Sequence, residues 1–329
     1  MSMTDPLSLD DWQPDRNLAM ELVRATEAAA MRSTPWIGRG DKNAADGAAV
    51  DAMRRFLATV NMNGTVVIGE GEKDDAPWLY NGERVGNGLG ADCDVAVDPI
   101  DGTRLTAEGR PGALSVIAVA DRGSMYDPSA VFYMDKLVCG PQGVGVVDIR
   151  NPIGENIRAL AKAKGVGVSD IRVAVLDRPR HTQLITDIRE AGAGTRLIMD
   201  GDVAGGVNAA RWDSGIDLCV GIGGTPEGII TACAVKALGG VIQGRLWSTD
   251  DDERQRAIDA GHDFDRVLEA NDLVASDNCY FVATGITDAD FVSGVQRRGP
   301  FVRAESIVMR AHSGTIRHIT SDMDPNRWE

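Results

Sequence analysis

The sequence predicts an α/β protein, in which strands alternate with helices that cover the faces of the sheets. Three short apolar segments in the second half of the chain, at 172–176, 197–199 and 217–222, each run into a polar or glycine-rich turn. We expect a helix after the last of them, with Thr225 as its N-cap and Gly239 at its end. Such alternation is typical of sheets with helices packed against them.

The first half begins with two amphipathic helices, predicted at 17–32 and at about 44–60 from apolar residues at helical spacing. A turn at Asn63-Gly64 is expected to lead into a strand at 65–68, which residues 69–72 are expected to continue. The other predicted elements are strands at 114–120 and 136–138 and a hairpin over 306–319.

Composition and charge exclude several classes of partner. The 329 residues are 43% hydrophobic and 25% charged, and the formal net charge is −15. Nucleic acid and anionic membranes both require basic faces, so neither is an expected partner. The five cysteines include no Cys-x-x-Cys pair, which argues against zinc or redox motifs. We therefore expect a cytoplasmic protein with reduced thiols.

The stretch Asp98-Pro99-Ile100-Asp101-Gly102-Thr103 is the strongest sign of chemistry. An apolar strand enters it, the proline is expected to stop that strand, and the glycine permits a tight turn. Asp98 and Asp101 then point at one spot, with the Thr103 hydroxyl beside them. Several acids in one place repel each other unless a cation is present. The sequence therefore predicts a site for a hard divalent cation such as Mg²⁺.

Further acids could join this site, although each has a simpler explanation. Glu70 lies near the end of a predicted strand and could be a solvated surface acid. Glu227 lies in the first turn of a helix, where the helix dipole favours any acid. Asp46 lies four residues after Lys42, so the two could form an ordinary helical ion pair or Asp46 could face the metal site.

The second half contains candidate contacts for an anionic ligand. Arg178-Pro179-Arg180-His181 follows a predicted strand, and arginines suit bidentate recognition of phosphate. A basic loop on an acidic surface is the alternative, and His181 itself is expected to be structural. Asp200-Gly201-Asp202 could be a simple turn or could bind sugar hydroxyls, and Tyr133 could belong to the core or contact phosphate.

Several other hydrolase chemistries find no support. The chain has no Gly-x-Ser-x-Gly motif, no P-loop lysine motif and no cysteine-phosphatase spacing. Residues 197–202 resemble the aspartyl-nucleophile motif of haloacid-dehalogenase-type phosphatases. The Val203-Ala204 that follows does not match that motif, so this reading fits poorly.

Taken together, these motifs resemble the class II (GlpX-type) fructose-1,6-bisphosphatases, within the lithium-sensitive inositol monophosphatase superfamily. The resemblance runs from about Arg16 to Ile319 and rests on residues 36–43, 67–72, 98–103, 178–181, 200–204 and 221–228. It implies a layered αβαβα sugar phosphatase fold. It also implies release of the 1-phosphate of fructose 1,6-bisphosphate in gluconeogenesis, with two or more Mg²⁺ or Mn²⁺ ions in each site.

The resemblance assigns roles to individual residues. Metal ligands would be Asp46, Glu70, Asp98, Asp101 and Glu227. Apart from the resemblance, we hypothesise that Thr103, Asp46 and Lys42 form the catalytic group, in which Thr103 orients and deprotonates a water that attacks phosphorus directly. Substrate contacts would be Asp101, Gly102, Thr103, Tyr133, Arg178, Pro179, Arg180, Asp200, Gly201, Asp202 and Gly224. Some relatives carry Glu in place of Asp101, and the acidic insert 249–254, a further departure, is expected to lie away from the motifs.

Other readings remain open. We expect two α/β halves, with the metal site in residues 1–165 and with Glu227 and the sugar-phosphate contacts in residues 166–329, in a homo-oligomer, either a tetramer or a dimer. Sedoheptulose 1,7-bisphosphate has an identical reacting end, whereas an inositol-type monophosphatase would not need the two arginines. A non-catalytic sugar-phosphate-binding regulator would not need the Thr103 hydroxyl.

Overall fold

A computed structural model describes residues 18–70, 78–129 and 131–327. The helices are α1 (Ala19–Ser33), α2 (Lys42–Leu57), α3 (Thr103–Glu108), α4 (Ile153–Lys164), α5 (Thr182–Glu190), α6 (Val203–Ala210), α7 (Thr225–Leu238), α8 (Asp251–Asp259) and α9 (Ala270–Leu273), with single 3₁₀ turns at Thr34–Trp36, Pro141–Gly143, Val168–Asp170 and Pro179–His181. The strands are β1 (Met62–Ile68), β2 (Arg84–Val85), β3 (Ala91–Asp101), β4 (Leu114–Asp121), β5 (Tyr133–Cys139), β6 (Arg172–Leu176), β7 (Gly194–Ile198), β8 (Leu218–Gly224), β9 (Val241–Trp247), β10 (Leu268–Glu269), β11 (Cys279–Gly285), β12 (Gln296–Arg298), β13 (Phe301–Arg310) and β14 (Thr315–Met323).

Within the described residues the strands form two sheets. The larger sheet has the order β12-β13-β11-β4-β3-β1-β2, with β14 beside β13, and the smaller sheet has the order β10-β9-β5-β8-β6-β7. Most neighbours are antiparallel, but β1 is parallel to β3, and β6 is parallel to both β7 and β8. The sheets are therefore mixed rather than doubly wound.

The helices separate into three layers. Helices α1 and α2 pack together on one face of the larger sheet, and α6 and α7 lie between the two sheets. Helices α4 and α5 cover the outer face of the smaller sheet through their apolar residues. The αβαβα layering implied by the sequence resemblance is confirmed, because each sheet buries apolar side chains on both of its faces.

Several predicted elements are confirmed, and others are wrong in detail. Helices α1 and α2, strands β4 and β6, and the hairpin of β13 and β14 lie where the sequence predicts them. The N-cap of α7 is Gly224, and Thr225 is its first helical residue. A closing Gly239 in the left-handed conformation, with φ 66°, is present as expected.

The predicted turn at Asn63-Gly64 is wrong, because both residues belong to β1. Gly64 is needed there because neighbouring strands approach closely: a Cβ at this position would lie 2.9 Å from Val85 Cγ2 and 3.0 Å from Val95 Cγ2. The strand ends at Ile68, so Gly69 and Glu70 do not continue it. Asn17, Gly71 and Glu72 lie outside the described residues.

Pro99 does not stop its strand, contrary to expectation, since β3 continues to Asp101. The register against β4 shifts between Asp98 and Asp101. This shift is a β-bulge, and a bulge tolerates proline because one residue is left out of the ladder of hydrogen bonds.

Both sheets contain strands from before and after residue 165. The larger sheet pairs β4 with β11, and the smaller sheet pairs β5 with β8 and β9, so strands from both halves share each sheet. The organisation of the chain into two α/β halves stays a prediction from the sequence. Among the residues that the structure describes, no helix has the length and apolar character that a membrane crossing requires.

The burial of side chains in the central core predicts how substitutions there change stability. Phe281 is completely buried in β11, whereas Phe301 at the start of β13 is 43% exposed. We expect Phe281→Ala to lower the free energy of unfolding by about 3–5 kcal/mol, because it leaves a cavity between the sheets. Phe301→Ala is the matched control and should cost much less. Denaturant titration of both variants measures this, and equal losses would contradict the described core.

Candidate active site

The end of β3 and the starts of α6 and α7 meet around a cavity of about 270 Å³. Both sheets contribute to its wall. The predicted site residues that line it are Asp98, Asp101, Gly102, Thr103, Tyr133, Arg178, Arg180, Asp200, Gly201, Asp202, Gly224 and Glu227. The fold thus brings together motifs that are widely separated along the chain.

The bulge in β3 places two carboxylates on one face. Asp98 and Asp101 pair with Val116 and Leu114 of β4, which are two residues apart and therefore point the same way. Without the extra residue of the bulge, aspartates three positions apart would face opposite sides of the sheet. Asp98 Oδ1 also accepts a hydrogen bond of 3.1 Å from the backbone N–H of Ile100.

The Thr103 hydroxyl lies at the start of α3, directly after Gly102, whose φ is 91°. Its Oγ1 lies 3.3 Å from Asp46 Oδ1 and 3.2 Å from the carbonyl oxygen of Ile100. The single hydroxyl proton can therefore be donated to either acceptor, which leaves the oxygen lone pairs available to a third group.

Asp46 reaches this hydroxyl from the first turns of α2. The helix begins after Asp41, whose side chain accepts a hydrogen bond from the N–H of Ala44. Burial raises the pKa of Asp46 to about 6, although the Thr103 hydrogen bond and the charge of Lys42 oppose the rise. Lys42 itself is exposed and does not line the cavity. The effect of Lys42 on the site that the structure shows is therefore electrostatic, because its charge lowers the pKa of Asp46.

Glu227 projects from the first turn of α7 into the same space. A Cβ at residue 224 would lie 1.7 Å from Glu227 Oε2, so only glycine permits this position of the carboxylate. Oε2 is buried and has no hydrogen-bond partner among the described residues. A buried carboxylate oxygen without a donor is costly unless something else binds it.

Asp101 shows the same combination of burial and close backbone approach. It is 2% exposed, and its Oδ2 is also buried without a partner among the described residues. A Cβ at residue 201 would lie 3.1 Å from both of its carboxylate oxygens, and Gly201 has a φ of 68°. Glycine therefore lets the loop before α6 lie against this carboxylate.

Glu70 lies beside the acidic residues of this cavity rather than in its lining. It lines a neighbouring cavity of about 800 Å³, which shares Asp98 and Glu227 with the first. Burial, with a smaller contribution from the charge of Asp46, raises the pKa of Glu70 to about 7. Burial and the neighbouring carboxylates likewise raise the pKa of Asp98 and of Asp101 well above the usual range.

The two arginines after β6 are oriented by backbone carbonyls and one carboxylate. Arg178 donates to the carbonyl oxygen of Met199 at 2.6 Å and to Asp200 Oδ1 at 2.9 Å. Arg180 donates to the carbonyl oxygen of Ile222 at 2.8 Å and lies over the ring of Tyr133, with 5.2 Å between the guanidinium carbon and the ring centroid. Both guanidinium groups keep further N–H donors for a ligand.

Two neighbours of these arginines do not line the cavity. Pro179 begins the 3₁₀ turn Pro179–His181, directly after Arg178, and its contact with the substrate stays a prediction. His181 is buried, and its Nδ1 donates to the carbonyl oxygen of Leu176 at 2.7 Å while Nε2 accepts from the N–H of Ile222 at 2.8 Å. The expected structural role of His181 therefore holds.

The acidic insert does not lie apart from the site, contrary to expectation. Glu253 of α8 accepts a hydrogen bond of 3.2 Å from the N–H of Phe132, and Phe132 lines the cavity beside Tyr133. Glu253 also accepts from the backbone N–H and the hydroxyl of Thr249, both at 2.7 Å. The insert thus supports the start of β5 from outside.

Lys136 is the principal site residue that the sequence analysis missed. It is 8% exposed, and its Nζ lies 2.5 Å from Asp202 Oδ2. The sequence feature that could have identified Lys136 is its place directly before the apolar run Leu137–Cys139. A charged residue inside a strand is rarely buried unless it is paired. Sequence alone does not identify its partner, which is 66 residues away.

Comparison with solved structures finds weak similarity. An extragenic suppressor protein SuhB from Bartonella henselae shares 17% of its sequence over 59% of this chain and 71% of its own, with a TM-score of 0.33. An inositol monophosphatase from Anabaena shares 15%, over 59% of this chain and 71% of its own, with a TM-score of 0.31.

Comparison with sequences is far stronger. The fructose-1,6-bisphosphatase 1 class 2 of Escherichia coli K12 is 44% identical over 323 residues, which covers 93% of this chain and 95% of that protein. The class 2 fructose-1,6-bisphosphatase of Shigella flexneri matches to the same extent. The model of the family described as bacterial fructose-1,6-bisphosphatase, glpX-encoded, matches residues 16–323. The chain therefore belongs to the glpX-encoded family of bacterial fructose-1,6-bisphosphatases.

Proposed function

We propose that this protein hydrolyses fructose 1,6-bisphosphate at the cavity between the two sheets, releasing the 1-phosphate and leaving fructose 6-phosphate. Family membership supports the reaction class and the substrate. The single structural observation that carries the assignment to this cavity is its lining, where buried carboxylates and two arginines occur together. A substrate with two phosphates needs both a reacting site and a distant anchor.

The ligand atoms that the cavity offers are of the type that divalent metal ions bind. They are carboxylate oxygens, which Mg²⁺ and Mn²⁺ prefer, and Asp101 Oδ2 and Glu227 Oε2 are buried without partners among the described residues. Across the described part of the chain, however, no three His, Cys, Asp or Glu side chains are already grouped to hold one ion. We propose Asp46, Glu70, Asp98, Asp101 and Glu227 as ligands for two or more ions.

When bound, such ions would neutralise the carboxylates and stabilise the charge that develops on the transferring phosphoryl group. The chain itself supplies the water-orienting group. The Thr103 hydroxyl, within reach of Asp46 and of the Ile100 carbonyl, accepts a hydrogen bond from the attacking water. As the water oxygen bonds to phosphorus, its proton passes to Thr103 Oγ1 and the Thr103 proton passes to Asp46. The bond from phosphorus to the sugar oxygen breaks, and that oxygen takes up a proton from solvent water.

Residues after β6 and β7 would hold the rest of the substrate. Arg178 and Arg180, already oriented by carbonyl groups, would bind the distal phosphate, with Tyr133 beside Arg180. Asp200 and Asp202 would accept hydrogen bonds from sugar hydroxyls. The cytoplasmic location, the homo-oligomeric state and the role of Lys42 in catalysis stay predictions from the sequence.

The Thr103 hydroxyl provides a test of the reaction. We expect Thr103→Ala to lower kcat for phosphate release from fructose 1,6-bisphosphate by about 10²–10⁴-fold, because the water loses its orienting acceptor. Thr103→Ser keeps the hydroxyl and should retain most of the activity. Full activity in Thr103→Ala would contradict the proposed role, and binding without turnover in the wild-type chain would indicate a regulator instead.

The arginines provide a test of the substrate. We expect Arg180→Met to raise KM for fructose 1,6-bisphosphate by about 10–100-fold but to change KM for fructose 1-phosphate little, because only the bisphosphate uses the distal anchor. Phosphate release from both substrates, from sedoheptulose 1,7-bisphosphate and from inositol 1-phosphate measures this. A wild-type preference for a monophosphate would reject the bisphosphatase assignment.

The raised carboxyl pKa values predict a pH-dependent stability in the metal-free protein. Folding raises the pKa of Asp46 from 3.8 to about 6 and of Glu70 from 4.5 to about 7, so the folded state binds more protons than the unfolded state between these values. The resulting stability is complete below about pH 4 and is lost as pH rises through 6 and 7. We expect the Tm of chelator-treated protein to fall across this window.

The control for this experiment is Glu70→Gln, which cannot titrate and should show a shallower fall of Tm with pH. Added Mg²⁺ or Mn²⁺ should raise Tm most at pH 8, where Asp46 and Glu70 are ionised and the ions bind to the folded state alone. An identical pH slope in the wild type and in Glu70→Gln would contradict the described burial of this carboxyl.

A further inference from the structure

One lysine ammonium contacts the residues from which two helices of the site begin. The Nζ of Lys136 lies 2.5 Å from Asp202 Oδ2 and donates to the carbonyl oxygen of Gly224 at 2.9 Å. Asp202 is the N-cap residue of α6, and Gly224 is the N-cap residue of α7. Both lie in the wall of the candidate active site.

Two glycines let the backbone lie close to the Lys136 side chain. A Cβ at Gly223 would lie 1.9 Å from Asp202 Oδ2 and 2.9 Å from Lys136 Nζ. A Cβ at Gly228 would lie 2.6 Å from Met134 Sδ and 3.2 Å from Lys136 Cδ. Glycine at position 223 therefore leaves room for the Lys136–Asp202 pair, and glycine at position 228 leaves room for Met134 and for the lysine stem.

Lys136 and Asp202 must remain paired, because both side chains are buried. The side chains of Lys136 and Asp202 are each 9% exposed, and two buried charges persist only when hydrogen bonds satisfy them. Burial opposes the positive charge, but Asp202 and Glu227 together raise the pKa of Lys136 above its ordinary value. The ammonium is therefore charged at neutral pH, and it lies near carboxylates from both sides of the cavity.

We propose that Lys136 is a positioning residue, which holds Asp202 toward the sugar and fixes the start of α7, from which Glu227 projects. The inference rests on the proposed function and adds a residue to it. A lysine that served only the core would have contacts that end in the core. Both contacts of this ammonium end instead on residues that line the cavity.

The test compares Lys136→Met with Lys236→Met. Lys236 is a second lysine whose side chain is only 6% exposed; it lies near the end of α7 and binds Asp277, Asn271 and the carbonyl oxygen of Val274. Removing either charge should lower the Tm. Only Lys136→Met should raise KM for fructose 1,6-bisphosphate, by at least tenfold, because only it releases Asp202 from its position.

Binding of Mn²⁺ in the absence of substrate separates positioning from simple charge. Loss of a nearby positive charge alone would strengthen Mn²⁺ binding, whereas a displaced start of α7 would weaken it. We expect calorimetry to show Mn²⁺ binding at least fivefold weaker in Lys136→Met and unchanged in Lys236→Met. Unchanged or tighter Mn²⁺ binding in Lys136→Met, or an unchanged KM, would overturn the proposal.

A second pair of variants applies if Lys136→Met does not fold. The double variant Lys136→Met/Asp202→Asn contains no unpaired buried carboxylate at this place, and Asp202→Asn alone is its reference. We expect Mn²⁺ binding to be weaker in the double variant, through the lost contact to Gly224, and equal binding would overturn the proposal. If the wild-type chain binds Mn²⁺ but releases no phosphate from the bisphosphate, the proposed function fails while this comparison still decides the role of Lys136.

Discussion

The burial of several carboxylates at one point between two sheets is the constraint on which the rest of this structure depends. Asp98, Asp101 and Glu227 share one cavity, and Glu70 borders it from the other side. Like charges without water repel strongly, so each must be compensated by a proton, a donor or a cation. The described protein compensates only some of them and leaves Asp101 Oδ2 and Glu227 Oε2 unpaired. That incomplete compensation supports the proposed metal site, because buried carboxylate oxygens are normally hydrogen-bonded or bound to a cation.

The layered fold is what makes such a concentration of charge tolerable. The acids project from the end of a long buried strand and from the start of a helix in the middle layer, where backbone N–H groups and the helix dipole favour negative charge. The central core between the sheets packs against both of these elements. The backbone positions that carry the carboxylates are therefore set by the packing of apolar side chains.

Glycines at the site act by permitting contact rather than flexibility. At Gly201, Gly223 and Gly224 an added Cβ would collide with, or press against, a carboxylate oxygen of the site. The same principle explains Gly64, where neighbouring strands approach closely in the larger sheet. At positions 201, 223 and 224 glycine therefore marks where the backbone touches a carboxylate, and at position 64 it marks where strands approach closely.

The sequence by itself determined the α/β class, the helices α1 and α2, and the strongest motifs in the lining of the cavity, because those signals are local. Asp98 and Asp101 beside Thr103 form such a signal, as does the arginine pair after β6. Only the tertiary structure decided that β3 passes through Pro99 by a bulge, that the acidic insert supports Phe132, and that Lys136 pairs with Asp202. These depend on which strands become neighbours, and that choice is made by burial of apolar surface across the whole chain rather than by any one segment.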